Sequence, residues 1–379
     1  MIINRDLPNW AGVLNPIGLE VQADPNWNTY ASYGIRVTVT GGNGQSLSFF
    51  QRPGLGDKTT FDLRRAVLAI LGDDQEQPDL NSYVKVMMPG AISVVIEEVA
   101  DGAVMETENK QIKVIRGGFH PRLGQMMSTW TADGKFLTNQ PRKKRSSRKV
   151  WELLQVVLND QIIPVNGMFP IHISMKFSDG NEITGTIEMP VQGAFPNAGD
   201  LIQIPVGWEH LNLSQYGTNG QDPIEWTVWL QQGRAILSER MTYTLRGTTF
   251  SSIERQYLFR NQLGGWDTLR TTGLNQTKIA VERSEMRIPG SPFDNFGRKV
   301  FSTLGRSYHR GAQDTGTLTQ AERIWFREFI RSENVWAAKD EEQKDNSLTP
   351  IYITTQNVAI FEDENFVGEE KFEYKEACV

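Results

Sequence analysis

Cysteine is nearly absent from this chain. Cys378 is the only one in 379 residues, so no intrachain disulfide and no cysteine-based metal cluster can form, and stability is expected from packing or assembly. Histidine is scarce too: His120, His172, His210 and His309 are the only four, and none sits in an H-E-x-x-H or H-x-H arrangement. No acidic cluster has calcium-loop spacing, so no metal site is expected and the histidines read as surface residues. Glu209-His210 beside Trp208 is the one suggestive pair, and an acid next to a histidine is ordinary. The chain has no G-x-S-x-G, Walker A or G-x-G-x-x-G sequence, and Gly54-Leu55-Gly56 reads as a turn; no catalytic residue and no cofactor is expected. Apolar runs fall short of the roughly 18 residues that cross a membrane. The opening MIINRDLPNW carries charge where a signal peptide places its apolar core, so synthesis and folding in a cytoplasm are expected, without a membrane partner. A formal charge of −6 argues against a general nucleic-acid binder, which needs a net basic field.

What the chain does have is the texture of a soluble β-protein: 39% hydrophobic, 10% aromatic and 22% charged residues, long enough for two or three domains. Ile35, Val37 and Val39 alternate with Arg36, Thr38 and Thr40, and Leu47 and Phe49 alternate with Ser46 and Ser48 after a glycine-rich turn; this is a hairpin with one apolar face. Residues 59–72 read either as a helix ended by Gly72 or as a strand and a turn. Residues 92–99 and 112–115 read as strands, with Asp101-Gly102 as a turn signal between them. The cleanest alternation is Ile171, Ile173, Met175 and Phe177 against His172, Ser174 and Lys176, returning after Asp179-Gly180. Residues 151–163 are strand or helix, and 224–230 is a half-buried strand. In 255–273 the apolar Tyr257-Leu258-Phe259, the turn Asn261 to Gly265 and the return Trp266, Thr268 and Leu269 make a hairpin. Thr319 and Glu322 form a capping box ahead of Ile324, Trp325, Phe329 and Ile330 at helical spacing. Segment 287–311, rich in Pro, Gly and Arg, reads as a long loop, and 339–345 as a charged one.

The expected architecture is mainly β, with two or more β-sandwich-like domains and a small α+β C-terminal part. The divisions are a β-rich domain at 1–120, a connection with a basic run at 121–150, a second β-rich domain at 151–285, and a long loop, one helix and terminal strands at 286–379.

Three features invite a functional reading. The basic run holds Arg142, Lys143, Lys144, Arg145, Arg148 and Lys149 within eight positions; it suits phosphate, a solvated loop or a subunit contact, and its lack of aromatic neighbours favours the last two. Trp229, opposite Trp226 by strand alternation, is the candidate for stacking on a sugar. Asp267 stands between Arg260 and Arg270 and can pair with either across the hairpin.

The ordered blocks Asn15-Pro16-Ile17, Phe61-Asp62-Leu63, Gly117-Gly118-Phe119, Phe136-Leu137-Thr138-Asn139-Gln140-Pro141, Phe177-Ser178-Asp179-Gly180, Leu258-Phe259-Arg260-Asn261 with Gly264-Gly265-Trp266-Asp267-Thr268-Leu269-Arg270, and Thr315-Gly316-Thr317-Leu318-Thr319 span most of the chain. In them it resembles tail-module virion proteins of phages and prophages of Bacteroidetes bacteria. The basic run departs from that group's pattern. The resemblance implies a non-enzymatic structural component of a phage virion, at the tail tip, baseplate or another tail ring. Such a component is made in the host cytoplasm, assembles as a homo-oligomeric ring and docks to other tail proteins. The basic run, Arg260, Asp267, Arg270 and segment 287–311 are then the expected assembly contacts. A carbohydrate-recognising receptor-binding protein and a neck or head-completion protein are the alternatives; a polysaccharide hydrolase ranks below both for want of a motif.

Overall fold

The computed structural model describes residues 1–54, 56–72, 78, 80–119, 126–217, 221–245, 254–288, 299–338, 348–355 and 367–376. Among the described residues the protein is mainly β, with 53% strand and 11% helix, the strands forming several separate antiparallel or mixed sheets. It divides into two compact units: residues 1–246 with 261–267, and residues 247–260 with 268–379. The chain therefore passes from one unit to the other three times. None of the expected borders, at 120, 150 and 285, coincides with these limits.

The first unit opens with β1 (Ile2–Arg5), β2 (Trp10–Gly12), β3 (Gly18–Gln22), β4 (Tyr33–Gly41), β5 (Ser46–Gln51), β6 (Lys58–Asp62), α1 (Arg64–Leu71), β7 (Val84–Met87), β8 (Gly90–Ala100) and β9 (Ala103–Ile115). It continues with α2 (Met127–Ala132), β10 (Lys143–Ser146), β11 (Leu153–Val157), β12 (Phe169–Phe177), β13 (Glu182–Met189), β14 (Val191–Gln192), β15 (Leu201–Pro205), β16 (Pro223–Trp229), β17 (Gln231–Gln232), β18 (Ala235–Ile236) and β19 (Met241–Leu245).

Strand alternation sets the buried faces. Ile35, Val37 and Val39 of β4 and Ile92, Val94 and Ile96 of β8 point into one core, which the three-stranded sheet β1-β3-β6 and helix α1 also enter through Leu19, Val21, Phe61 and Val67. Residues 59–72, open between helix and strand, contain both: β6 ends at Asp62 and α1 follows. Asp101 and Gly102 turn β8 into β9 with φ of 49° and 83°, as a two-residue hairpin turn requires.

The second core lies between the five-stranded sheet β10-β19-β16-β12-β13 and the four-stranded sheet β11-β15-β7-β14. The expected hairpin is β12–β13, turned at Asp179-Gly180, and its register sets Ile171 opposite Ile187 and Met175 opposite Ile183. Segment 121–150, expected as a loop or connection, carries helix α2 and strand β10 among its described residues. The basic run is part of a sheet because Lys143 to Ser146 pair in parallel with Thr242 to Leu245, a partner nearly a hundred positions away that local composition does not reveal.

The second unit contains β20 (Arg255–Arg260), most of β21 (Trp266–Thr271), β22 (Asn275–Ile288), β23 (Lys299–Thr319), α3 (Gln320–Arg331), β24 (Val335–Ala338), β25 (Leu348–Ile353) and β26 (Val367–Glu376). Its seven-stranded sheet runs β21-β20-β24-β25-β26-β23-β22. Helix α3 begins at the expected capping box: Thr319 accepts from the Glu322 amide, and Glu322 accepts from the Thr319 amide. Its Trp325, Phe326 and Phe329 bury against Tyr257, Phe259 and Phe372. Segment 287–311, expected as a long loop, is strand wherever it is described: β22 and β23 pair in register from Asn275↔Gln313 to Ile288↔Lys299, with one irregularity after Glu282. Pro289 and Pro292, which suggested a loop, lie outside the described residues. The charged segment 339–345 and His120 lie outside the described residues.

Candidate functional site

Four stretches of the sequence, at Asn15, Gly117 to Phe119, Phe136 to Gln140 and Asn261 to Asp267, meet at one place in the first unit. Asn15 grips Phe119 from both sides: its Nδ2 donates to the Phe119 carbonyl at 3.1 Å and its Oδ1 accepts from the Phe119 amide at 3.3 Å. That clamp fixes Gly117-Gly118 against the turn 261–267. A side chain on Gly117 would lie 2.2 Å from the Leu263 carbonyl carbon, and one on Gly265 would lie 2.1 Å from the Leu137 carbonyl oxygen, so both positions need glycine for backbone to approach backbone.

The turn organises itself through Asn261. Its Oδ1 accepts from the amides of Leu263 and Gly265 at 3.0 and 3.1 Å, and its Nδ2 donates to the Leu137 carbonyl at 2.7 Å. Gly264, at φ 89°, closes the turn. Leu263 is fully buried with Trp10, Ile115, Phe119, Met127 and Leu137. Beneath it, Gln155 of β11 accepts from the Trp266 amide at 2.8 Å and donates to Gln203 at 2.9 Å. Thr138 donates to an Asp267 oxygen at 2.9 Å, and the Gln140 amide donates to Thr138 Oγ1 at 3.0 Å. Asn261, Asp267, Thr138, Gln140 and Gln155 are all buried.

The polar network continues into the second core. Burial drives the Tyr243 hydroxyl pKa well above its usual range, with the nearby charges of Glu152 and Asp267 adding to the effect. Lys144 Nζ meets Glu152 Oε2 at 2.6 Å, and Ser146 donates to Glu152 Oε1 at 2.9 Å, all with side chains out of water. These groups bind one another and are shielded from solvent. As a set they form a polar joint that fixes a turn in place, with no exposed acid, base or nucleophile for a substrate to meet.

The candidate residues are distributed as follows. The basic run is not a free cationic patch: Arg142 lies 3.4 Å from Glu239, Lys143 lies 2.5 Å from Glu225, Lys144 is buried against Glu152, and Arg148 is paired with Asp222. Arg145 is half-buried and Lys149 exposed. Arg270 pairs with Glu254. Arg260 closes β20, its amide donating to the Asn334 carbonyl and its carbonyl accepting from Ser332. Asp267 is bound by Thr138, a partner that sequence reading missed because 129 positions separate them. Trp229 does not face outward: it is 5% exposed, stacked on His172, covered by Arg240 at 4.6 Å, and its indole donates to Gln231. His309 is exposed as expected, while His172 and His210 are half-buried; desolvation lowers the pKa of each of these two.

Elsewhere in the first unit a cleft of about 1040 Å³ is lined by Trp10, Lys113, Ser128, Thr131 and Asn159. Its one cation, Lys113, is already held by the Gly199 carbonyl at 2.7 Å. Among the described residues no three His, Cys, Asp or Glu side chains gather as a metal site, and no helix is long and apolar enough to cross a membrane. Set against known proteins, the chain matches no family model and no curated protein.

Proposed function

We propose that this protein is a structural component of a phage virion, a tail-tip, baseplate or other tail-ring protein that works by self-association and by docking to other tail proteins. It is made in the host cytoplasm and acts without catalysis. The two cores of the first unit, each held between facing layers, are sandwich-like building blocks in this reading.

The observation that carries the proposal is the β22–β23 hairpin. β26 pairs with β23 only over Arg310 to Thr319, and β22 is the outer strand of its sheet. Among the described residues, the stretch Glu282 to Ile288 with Lys299 to Arg306 therefore pairs with nothing but itself. A two-stranded ribbon is marginal alone in water, and the seven residues from Glu282 to Ile288 span roughly 23 Å. An arm of this length gains stability when a neighbouring subunit covers it, as ring assembly provides. Near its root Leu274 and Ile279 are 77% and 67% exposed, apolar surface that an interface would remove from water.

The test pairs electron microscopy of the purified protein with a variant in which residues 282–306 are replaced by Asn-Gly. The intact protein is expected to form a symmetric multimer, and the shortened one to stay folded but fall apart into smaller species. A strictly monomeric protein absent from purified virions would end the proposal, and an unchanged multimer after arm removal would end the role given to the arm.

A further inference from the structure

A different edge of the molecule, in the first unit, is also built to be covered. β5 is the terminal strand of the sheet β2-β9-β8-β4-β5, and all six of its residues, Ser46 to Gln51, are exposed. Native edge strands are usually blunted by charge, proline or a bulge. The sequence SLSFFQ has neither charge nor proline, and its register with β4 runs from Ile35↔Gln51 to Thr40↔Ser46 without a shift. Leu47 and Phe49 lie opposite Val39 and Val37, on the face that covers the core, yet they remain 40% and 39% exposed because the cover stops at this strand. Helix α1 lies beside β5 and leaves Leu68 exposed, while on the other face Phe50 sits over Gly34, where a Cβ would meet its ring at 2.4 Å.

We propose that β5 pairs antiparallel with β5 of a second copy of this chain about a two-fold axis at Ser48, joining two five-stranded sheets edge to edge. This contact is separate from the arm and does not rest on the virion reading. The strand's own pattern selects the partner. A two-fold axis normal to a sheet keeps each face on its own side, so residues opposite one another must be of the same parity. Centring on Ser48 sets Leu47 opposite Phe49 twice on the core face, and Ser46 opposite Phe50 on the other. Centring on Phe49 would instead waste Leu47 against Gln51. Charge is compatible as well. The nearest flanking cation, Arg52, lies four positions from the axis, so the two copies of it are separated by roughly 26 Å along the strands, beyond the screening length of about 8–10 Å. Arg36 on the adjacent strand is already paired with Glu97 at 2.6 Å.

Cys378→Ser removes the only native thiol and gives a clean background for cross-linking. On it, Ser48→Cys would place two thiols across the axis, where antiparallel partners have Cα atoms about 4.5–5.5 Å apart, within disulfide range. Mild oxidation at tens of micromolar protein is expected to convert most Ser48→Cys chains to a covalent dimer. Gln51→Cys, whose copies would be about 20 Å apart, is expected to remain at background. Ser48→Lys, a change at an exposed position, is expected to keep the circular dichroism spectrum and weaken dimerisation at least tenfold by mass photometry. Cross-linking of Ser48→Cys no faster than Gln51→Cys, or dimerisation unaffected by Ser48→Lys, would overturn the proposal.

Discussion

The Lys144 ammonium and the Glu152 carboxylate left water together, and each is worth far more to the fold as half of a pair than alone. Burying two charges costs more than their attraction returns unless hydrogen bonds complete the site, which Ser146 helps to do here. Glu152→Gln is therefore expected to cost about 3–5 kcal/mol in urea unfolding, whereas Lys144→Met with Glu152→Leu should come out near neutral. A loss under 1 kcal/mol for Glu152→Gln would show that the pair does not anchor β10. The histidines give a pH signature. Desolvation holds His172 and His210 below the ordinary histidine range, so the unfolded chain takes up protons first as pH falls. Their contribution is fully present above about pH 6.5 and drains away towards the folded values. Glu239 works in the opposite sense: desolvation raises its carboxyl pKa, so its contribution grows as pH falls towards 4.5. Between pH 7.5 and 5.5 the wild type should lose more Tm than a His172→Gln, His210→Gln variant, which leaves Glu239 untouched; equal losses would contradict the assignment.

At the scale of elements, α3 is the piece whose start is written most plainly. Thr319→Ala removes the side-chain acceptor for the Glu322 amide and should cost about 1 kcal/mol, read as a shift of the denaturation midpoint at constant slope. The cap and aromatic stripe of α3 and the alternation of β12 were legible because each is a local pattern of spacing. Trp229 was not, because alternation tells only that it opposes Trp226: its face of β16 is half-open at Glu225 and Thr227, and His172 and Arg240 cover it at Trp229 itself. The basic run deceived for a similar reason. Lys144 and Ser146 do alternate inward, but a lysine on the buried face looks like any other charge until Glu152 is known to wait there. At the joint the blocks themselves stood out in the sequence, whereas their meeting depended on contacts more than a hundred positions apart, such as Thr138 with Asp267 and Leu137 with Asn261.

Taken as a whole, the molecule has a first unit that is not a continuous stretch of chain. Residues 1–246 lack the turn 261–267 that fills the space beside Gly117, Leu137 and Gln155. Expressed alone, 1–246 is expected to be less soluble than the full chain and to bind a hydrophobic dye, because Phe119, Leu137 and Val157 lose the cover of Leu263. A fragment that melts as cooperatively as the full protein would refute this. The same interruption sets a clock during synthesis. When residue 246 leaves the ribosome's active centre the first unit still lacks its last buried piece, and at about 5–20 residues per second residue 267 follows roughly 1–4 s later. For that interval the nascent chain holds an open, glycine-lined slot, so folding of the N-terminal part must wait for a segment translated after the second unit has begun.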